Sequence, residues 1–148
     1  RSKIKDYYNL KDLKVLAENL SRQCSEREII TLSGPLGVGK STFAKFFIQS
    51  LLKQELEVTS PTYTIVERYE LPNRPKVCHM DFYRLDKNSN LDDLDLYDAF
   101  ENYLCIIEWP DKLSHALPEK RIDFIFDFID ENVDIRKIEK NNLKYFVE

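Results

Sequence analysis

The chain has 148 residues, is 43% hydrophobic and carries a formal net charge of −4, a length and balance that fit one domain, residues 1–148, with a sound core. No apolar run approaches the roughly 18 residues of a membrane span, and the acidic balance argues against a protein whose main task is gripping a nucleic-acid backbone. Cys24, Cys78 and Cys105 lie far apart without C-x-x-C spacing, so they read as buried reduced thiols of a cytosolic protein; a metal cluster would need more ligands than His79 and His115.

Arg1–Asp6 is basic with no apolar stretch behind it, so no secretory leader is expected there. Residues 9–24 place Leu10, Leu13, Leu16, Ala17 and Leu20 at helical spacing, which predicts an amphipathic helix packed on a sheet. After a polar link, Glu28–Ser33 reads as a short, mostly apolar strand. Then comes Gly34-Pro35-Leu36-Gly37-Val38-Gly39-Lys40-Ser41, which matches G-x-x-x-x-G-K-[ST] at every fixed position. The three glycines of the whole chain all fall in these eight residues, where backbone must curl tightly and approach a ligand. Thr42–Lys53 is the helix that should follow, with Phe43, Phe47, Ser50 and Leu51 on one face and Phe46 beside them.

A strand before and a helix after give this motif its required setting. Backbone N–H groups from Gly34 through Thr42 should cradle phosphate at the helix N-terminus, helped by the helix dipole. Lys40 should reach the β- and γ-phosphates, and the Ser41 hydroxyl should bind Mg²⁺.

Beyond the helix, Ser60-Pro61-Thr62-Tyr63 leads into a β-branched strand over Thr64–Tyr69. Hydroxyls flanking a stiff proline could sense the γ-phosphate as switch segments do, or simply form a turn. Leu71–Pro75 is a turn, and Lys76–Tyr83 is a second strand, the hairpin partner of the first. A polar loop over Leu85–Asn90 precedes two short helical segments, Leu91–Leu94 and Leu96–Tyr103. Leu104–Glu108 is a continuous apolar run, as expected of a buried strand in a parallel sheet. Asp111–Leu117 suits a short helix, Arg121–Asp130 alternates as a strand, and Asn132–Glu139 and Leu143–Val147 suit one or two edge strands. The sum is an α/β P-loop NTPase sandwich with a mixed, mostly parallel central sheet flanked by helices, and a ligand site at the carboxyl ends of the strands.

Two acids end strands there, Asp81 and Glu108. Both are candidates to line one site, one near Mg²⁺ and the other orienting an attacking water, and the residues alone do not say which is which. Arg84 is a candidate for stabilising transition-state charge. Trp109 could stack on a base or a partner, or belong to the core. His79 reads as structural, holding a strand or orienting Asp81. The Asn-Lys-x-Asp tetrapeptide of guanine-binding proteins is absent, so ATP is the expected nucleotide. A P-loop kinase of small molecules or nucleosides is the main competing class, weakened by the lack of an arginine-rich lid segment; a nucleotide-gated binding module is another.

Gly-Pro-Leu-Gly-Val-Gly-Lys-Ser-Thr at 34–42, Ser-Pro-Thr-Tyr at 60–63, His-Met-Asp-Phe-Tyr-Arg at 79–84 and Ile-Glu-Trp-Pro-Asp at 107–111 occur in series. Together they resemble the TsaE family of bacterial tRNA threonylcarbamoyladenosine biosynthesis ATPases, over nearly the whole chain. The resemblance implies a small cytoplasmic P-loop ATPase that works with the TsaD and TsaB proteins. Those partners transfer threonylcarbamoyl to adenosine in tRNA, and ATP hydrolysis by this component supports their repeated turnover. It also implies that Lys40 and Ser41 hold phosphate and Mg²⁺ and that Thr42 lies by the phosphates. By the same motifs Asp81 and Glu108 surround Mg²⁺ and the water, Trp109 lies near the nucleotide, and Ser60–Tyr63 is switch-like. The chain departs from the family pattern in having Pro35 where an acid is frequent and Ser41 where threonine is more usual.

Overall fold

The computed structural model describes residues 6–24, 27–55, 57–58, 66–86, 91–130 and 132–145, apart from the side chains of Asp93 and Ser114. The switch-like stretch Ser60–Tyr63 lies outside them. Seven strands form one sheet: β1 (Tyr7–Tyr8), β2 (Ile29–Ser33), β3 (Val66–Tyr69), β4 (Val77–Asp81), β5 (Leu104–Glu108), β6 (Ile122–Ile129) and β7 (Asn132–Asn141). Their order is β1-β7-β6-β2-β5-β4-β3. The four central strands β6, β2, β5 and β4 run parallel, while β3, β7 and β1 join antiparallel at the two sides. The mixed, mostly parallel sheet expected from the sequence is therefore what forms.

The strands carry the side chains their positions demand. Every residue of β5, Leu-Cys-Ile-Ile-Glu, is buried, because it pairs with β2 and β4 and is covered on both faces. On one face Ile30, Leu32, Leu104, Ile106, Phe124 and Phe126 pack under α1 (Leu10–Gln23) and α2 (Lys40–Leu52). On the other, Cys78, Met80, Cys105 and Ile107 pack with Ala99 of α3 (Leu96–Asn102) and with Leu113 of a 3₁₀ turn spanning Pro110–Ala116. The segment read as a short helix at 111–117 thus takes the tighter 3₁₀ form.

Helix α1 starts where its chemistry says it should. Asn9 Oδ1 accepts from the Asp12 N–H at 2.8 Å, which satisfies one of the donors a helix leaves unpaired at its start. Leu13, Leu16, Ala17 and Leu20 are buried as the spacing predicts, and the Ser21 and Ser50 hydroxyls, 2.7 Å apart, join α1 to α2. Leu10 departs from that stripe: it lies in the first turn and is 63% exposed.

The tail also differs from expectation. Strand β7 runs on to Asn141, but Leu143–Tyr145 is not a strand; Leu143 and Tyr145 pack against the core as side chains instead. The Tyr145 hydroxyl meets Glu28 Oε2 at 2.5 Å and Lys144 Nζ meets Glu28 Oε1 at 3.2 Å, so the tail is tied beside the start of β2. Nearby, burial and then the Glu28 carboxylate push the Cys24 thiol up to about 12. Cys24 is half-buried, whereas Cys78 and Cys105 are buried as expected, and all three are free thiols. Among the described residues no helix is long and apolar enough to cross a membrane.

Candidate functional site

Strand β2 delivers the chain into the loop at residues 34–39, and α2 begins immediately after it. Gly34 sits at φ 141°, and a Cβ there would lie 2.4 Å from the Phe126 carbonyl oxygen of β6, so only glycine fits. Gly39 is the N-cap of α2 at φ 117°, without a side-chain hydrogen bond to the first-turn N–H groups. Those donors are of the kind that hold an anion at a helix start. Val38 is buried in the core and anchors the loop. From β7, Arg136 Nε donates to the Val38 carbonyl at 3.1 Å.

The strand period places the acids. In β4, Val77, His79 and Asp81 share a face; in β5, Leu104, Ile106 and Glu108 do. Val77, Leu104 and Ile106 belong to the cluster under α2, so the ends of these rows face the start of that helix. The parallel register sets Asp81 directly beside Glu108. Ser41 Oγ donates to Glu108 Oε1 at 2.8 Å, and His79 Nε2 lies 2.7 Å from Glu108 Oε2. Glu108 is 1% exposed and His79 0%, so this carboxylate is withdrawn from water and held by donors on both oxygens. Asp81 is less covered, and its Oδ1 accepts the Tyr83 N–H at 3.0 Å.

Lys40 is buried. Its Nζ donates to the carbonyls of Gly34 and Pro35 and lies 3.7 Å from the centre of the Trp109 ring. Burial holds the Lys40 ammonium below its ordinary pKa, opposed by the nearby Glu108, Asp81 and Asp111 carboxylates. The Asp81 carboxyl is raised, again chiefly by burial, with the Tyr83 N–H pulling the other way and Glu108 adding to the rise. Trp109 takes the left-handed backbone conformation, φ 57°, a strained choice for a bulky residue. It sets the indole over Lys40 and against Tyr83, whose ring centre is 5.0 Å away. Trp109 is therefore a half-buried wall of the site rather than a core residue.

Two openings use this loop. The first, about 410 Å³, is lined by Lys40, Ser41, Asp81, Arg84, Glu108 and Trp109, with Leu36 at its edge. The second, about 260 Å³, is lined by Tyr8, Leu10, Val38, Phe126, Val133 and Arg136, among others, and shares Gly37, Gly39 and Thr42 with the first. The structure thus brings Lys40, Ser41, Thr42, Asp81, Glu108 and Trp109 around one space. The second opening escaped the sequence reading because its residues come from β1, α1, β6 and β7 and share no motif. From the sequence His79 reads as holding a strand or orienting Asp81; in the structure its partner is Glu108 of the neighbouring strand and not Asp81, a pairing fixed by register that spacing alone does not reveal.

Among the described residues no three His, Cys, Asp or Glu side chains converge as a metal cage. The donors facing the first opening are hard oxygens, those of Ser41 and Asp81. They fit Mg²⁺, which uses few protein ligands beside phosphate oxygens and water.

A family model described as "Threonylcarbamoyl adenosine biosynthesis protein TsaE" matches residues 7–138. A Haemophilus influenzae protein named tRNA threonylcarbamoyladenosine biosynthesis protein TsaE is 36% identical over 132 residues, covering 88% of this chain and 82% of the relative. A Bacillus subtilis protein of the same name is 33% identical over 118 residues, covering 79% and 72%. Among solved structures, one described as "Crystal structure of Bacillus subtilus YdiB" superposes with a TM-score of 0.71 at 25% identity, covering 93% of this chain and 86% of that one.

Proposed function

The chain belongs to the TsaE family, and from that premise we propose that it binds and hydrolyses ATP in the cytoplasm as part of the machinery that forms threonylcarbamoyladenosine in tRNA, acting with TsaD and TsaB. The relatives' names support the pathway. The observation that carries the ATPase reading is the Ser41–Glu108 hydrogen bond at 2.8 Å, made at the foot of the phosphate loop and beside Asp81.

In this reading the loop N–H groups and Lys40 hold the β- and γ-phosphates. To reach them, Lys40 leaves the carbonyls of Gly34 and Pro35, and the Trp109 face keeps its charge company along the way. Glu108 takes the proton of the Ser41 hydroxyl as a hydrogen bond, which turns the Ser41 lone pairs outward toward a cation. With both oxygens already engaged, Glu108 acts on that cation through Ser41, while Asp81, open to the space, is the direct acidic neighbour and orients water. Bound Mg²⁺ would supply neutralising charge on the phosphate oxygens. Arg84 lines the same opening and is available for charge that develops on the transferred group. The second opening receives the nucleoside end of ATP, between the apolar side chains Leu10 and Val133 and the Arg136 guanidinium.

The test is an ATPase assay of the purified chain with Mg²⁺, alone and with TsaD and TsaB. Slow hydrolysis alone that changes when both partners are added is expected. Phosphate transfer to a small-molecule acceptor, indifferent to those partners, would contradict the proposal.

A further inference from the structure

His79 is fully buried in β4, and its Nε2 lies 2.7 Å from Glu108 Oε2. A carboxylate oxygen only accepts, so Nε2 carries the proton and donates. Nδ1 is also buried and has no hydrogen-bond partner among the described residues. The ring's polar contact is thus directed at Glu108. Glu108 itself is 1% exposed and reaches Ser41 through its other oxygen. A buried carboxylate with one donor is free to rotate toward a neighbouring charge such as the Lys40 ammonium, which Glu108 influences electrostatically; with donors on both oxygens its plane is set. Chains of this kind, in which a buried histidine orients an acid that orients a metal-side hydroxyl, tune the outermost group without touching the ligand.

We infer that His79 is a positioning residue: its Nε2–H fixes the Glu108 carboxylate so that Glu108 Oε1 holds the Ser41 hydroxyl in the orientation a cation needs. The inference rests on the Mg²⁺-ATP reading above. It separates His79 from a core histidine that merely fills space, because a space-filling role is indifferent to where a donor sits along the side chain.

The test compares His79→Gln, whose amide nitrogen falls near the Nε2 position, with His79→Asn, whose amide stops short of Glu108. Hydrolysis is measured against Mg²⁺ concentration at saturating ATP, and ATP binding is measured in EDTA. His79→Asn should lower kcat and raise the half-saturating Mg²⁺, each by about tenfold or more, as removal of outer-shell partners does. Metal-free ATP affinity should hold within about twofold, and His79→Gln should restore both parameters to within roughly threefold. Adding His79→Asn to Glu108→Gln should cause no further loss, because the histidine acts through that acid.

Equal behaviour of the two histidine variants, or losses that multiply in the double variant, would overturn the inference. If His79→Asn does not fold, the histidine ring nitrogens of the intact chain decide by NMR. An Nε2–H whose resonance moves in Glu108→Gln supports the inference, and an unprotonated or unmoved Nε2 overturns it. A wild-type chain without Mg²⁺-dependent hydrolysis would instead overturn the ATPase reading.

Discussion

The two openings beside the phosphate loop share Gly37, Gly39 and Thr42 but are built from different chemistry. The first is walled by Lys40, Asp81, Arg84 and Glu108, charges brought together by the carboxyl ends of two parallel strands and the start of one helix. The second is walled by Tyr8, Leu10, Phe126 and Val133, with Asp134 and Arg136 as its charged members. Its residues come from the amino-terminal segment and from the antiparallel β6–β7 pair. One space suits a polyanion with a divalent cation, the other a flatter, less charged group. Arg136 spans the difference, since it lines the second opening and donates to the Val38 carbonyl of the loop that serves both. In the proposed function the charged opening at the strand ends would take the ionic chemistry, and the opening beside the β6–β7 pair would frame the rest of the ligand.

Substitutions can break that contrast in order of effect. Lys40→Ala should be the most severe: ATP hydrolysis falls by roughly a hundredfold or more, because a phosphate-directed cation in a covered site is lost. Steady-state phosphate release checks it, and a change of less than about threefold would mean that Lys40 stays on its own loop carbonyls. Arg136→Ala should weaken inorganic tripolyphosphate by about tenfold, the size expected when a charged donor leaves a loop carbonyl, and ATP by at least as much, because the guanidinium also borders the nucleoside end. Calorimetric titration of both ligands measures this. Val133→Asp should discriminate between the openings. Val133 is 82% exposed, so the change should be tolerated by the fold. It should weaken ATP by about threefold, because an apolar contact with the uncharged nucleoside is replaced by a carboxylate that resists desolvation, and change tripolyphosphate far less.

Tyr145→Phe is the control away from both openings. It removes the 2.5 Å contact with Glu28 at the other end of β2 and should cost about 1 kcal/mol in urea unfolding, with nucleotide affinity unchanged.

Legibility in the sequence followed the same division. The loop at 34–41 was readable because its fixed spacing encodes backbone geometry directly, and Gly34 against the Phe126 carbonyl shows why no other residue serves. Strand β5 was readable because burial on both faces demands a continuous apolar run, and its closing acid then stood out. Asp81 and Glu108 were visible as strand-end acids, but their separate environments were not. Those depend on register, which puts His79 on Glu108 and leaves Asp81 with the Tyr83 N–H. Strand β1, two residues long, has no periodicity to read and exists because β7 offers it an edge. Leu143–Tyr145 belongs to a stretch that reads as an edge strand, yet hydrogen bonding to Glu28 and packing of Leu143 and Tyr145 hold these residues without the sheet.

Glu108→Gln tests the central claim most directly. The amide keeps the shape of the side chain and can still accept from one donor, but it loses the charge that both Ser41 and His79 meet. With ATP binding measured in parallel, Mg²⁺-dependent hydrolysis should fall by about a hundredfold while ATP affinity stays within roughly threefold of wild type. Hydrolysis at the wild-type rate in this variant would show that Glu108 is a structural acid and that the chemistry of the first opening is run by other groups.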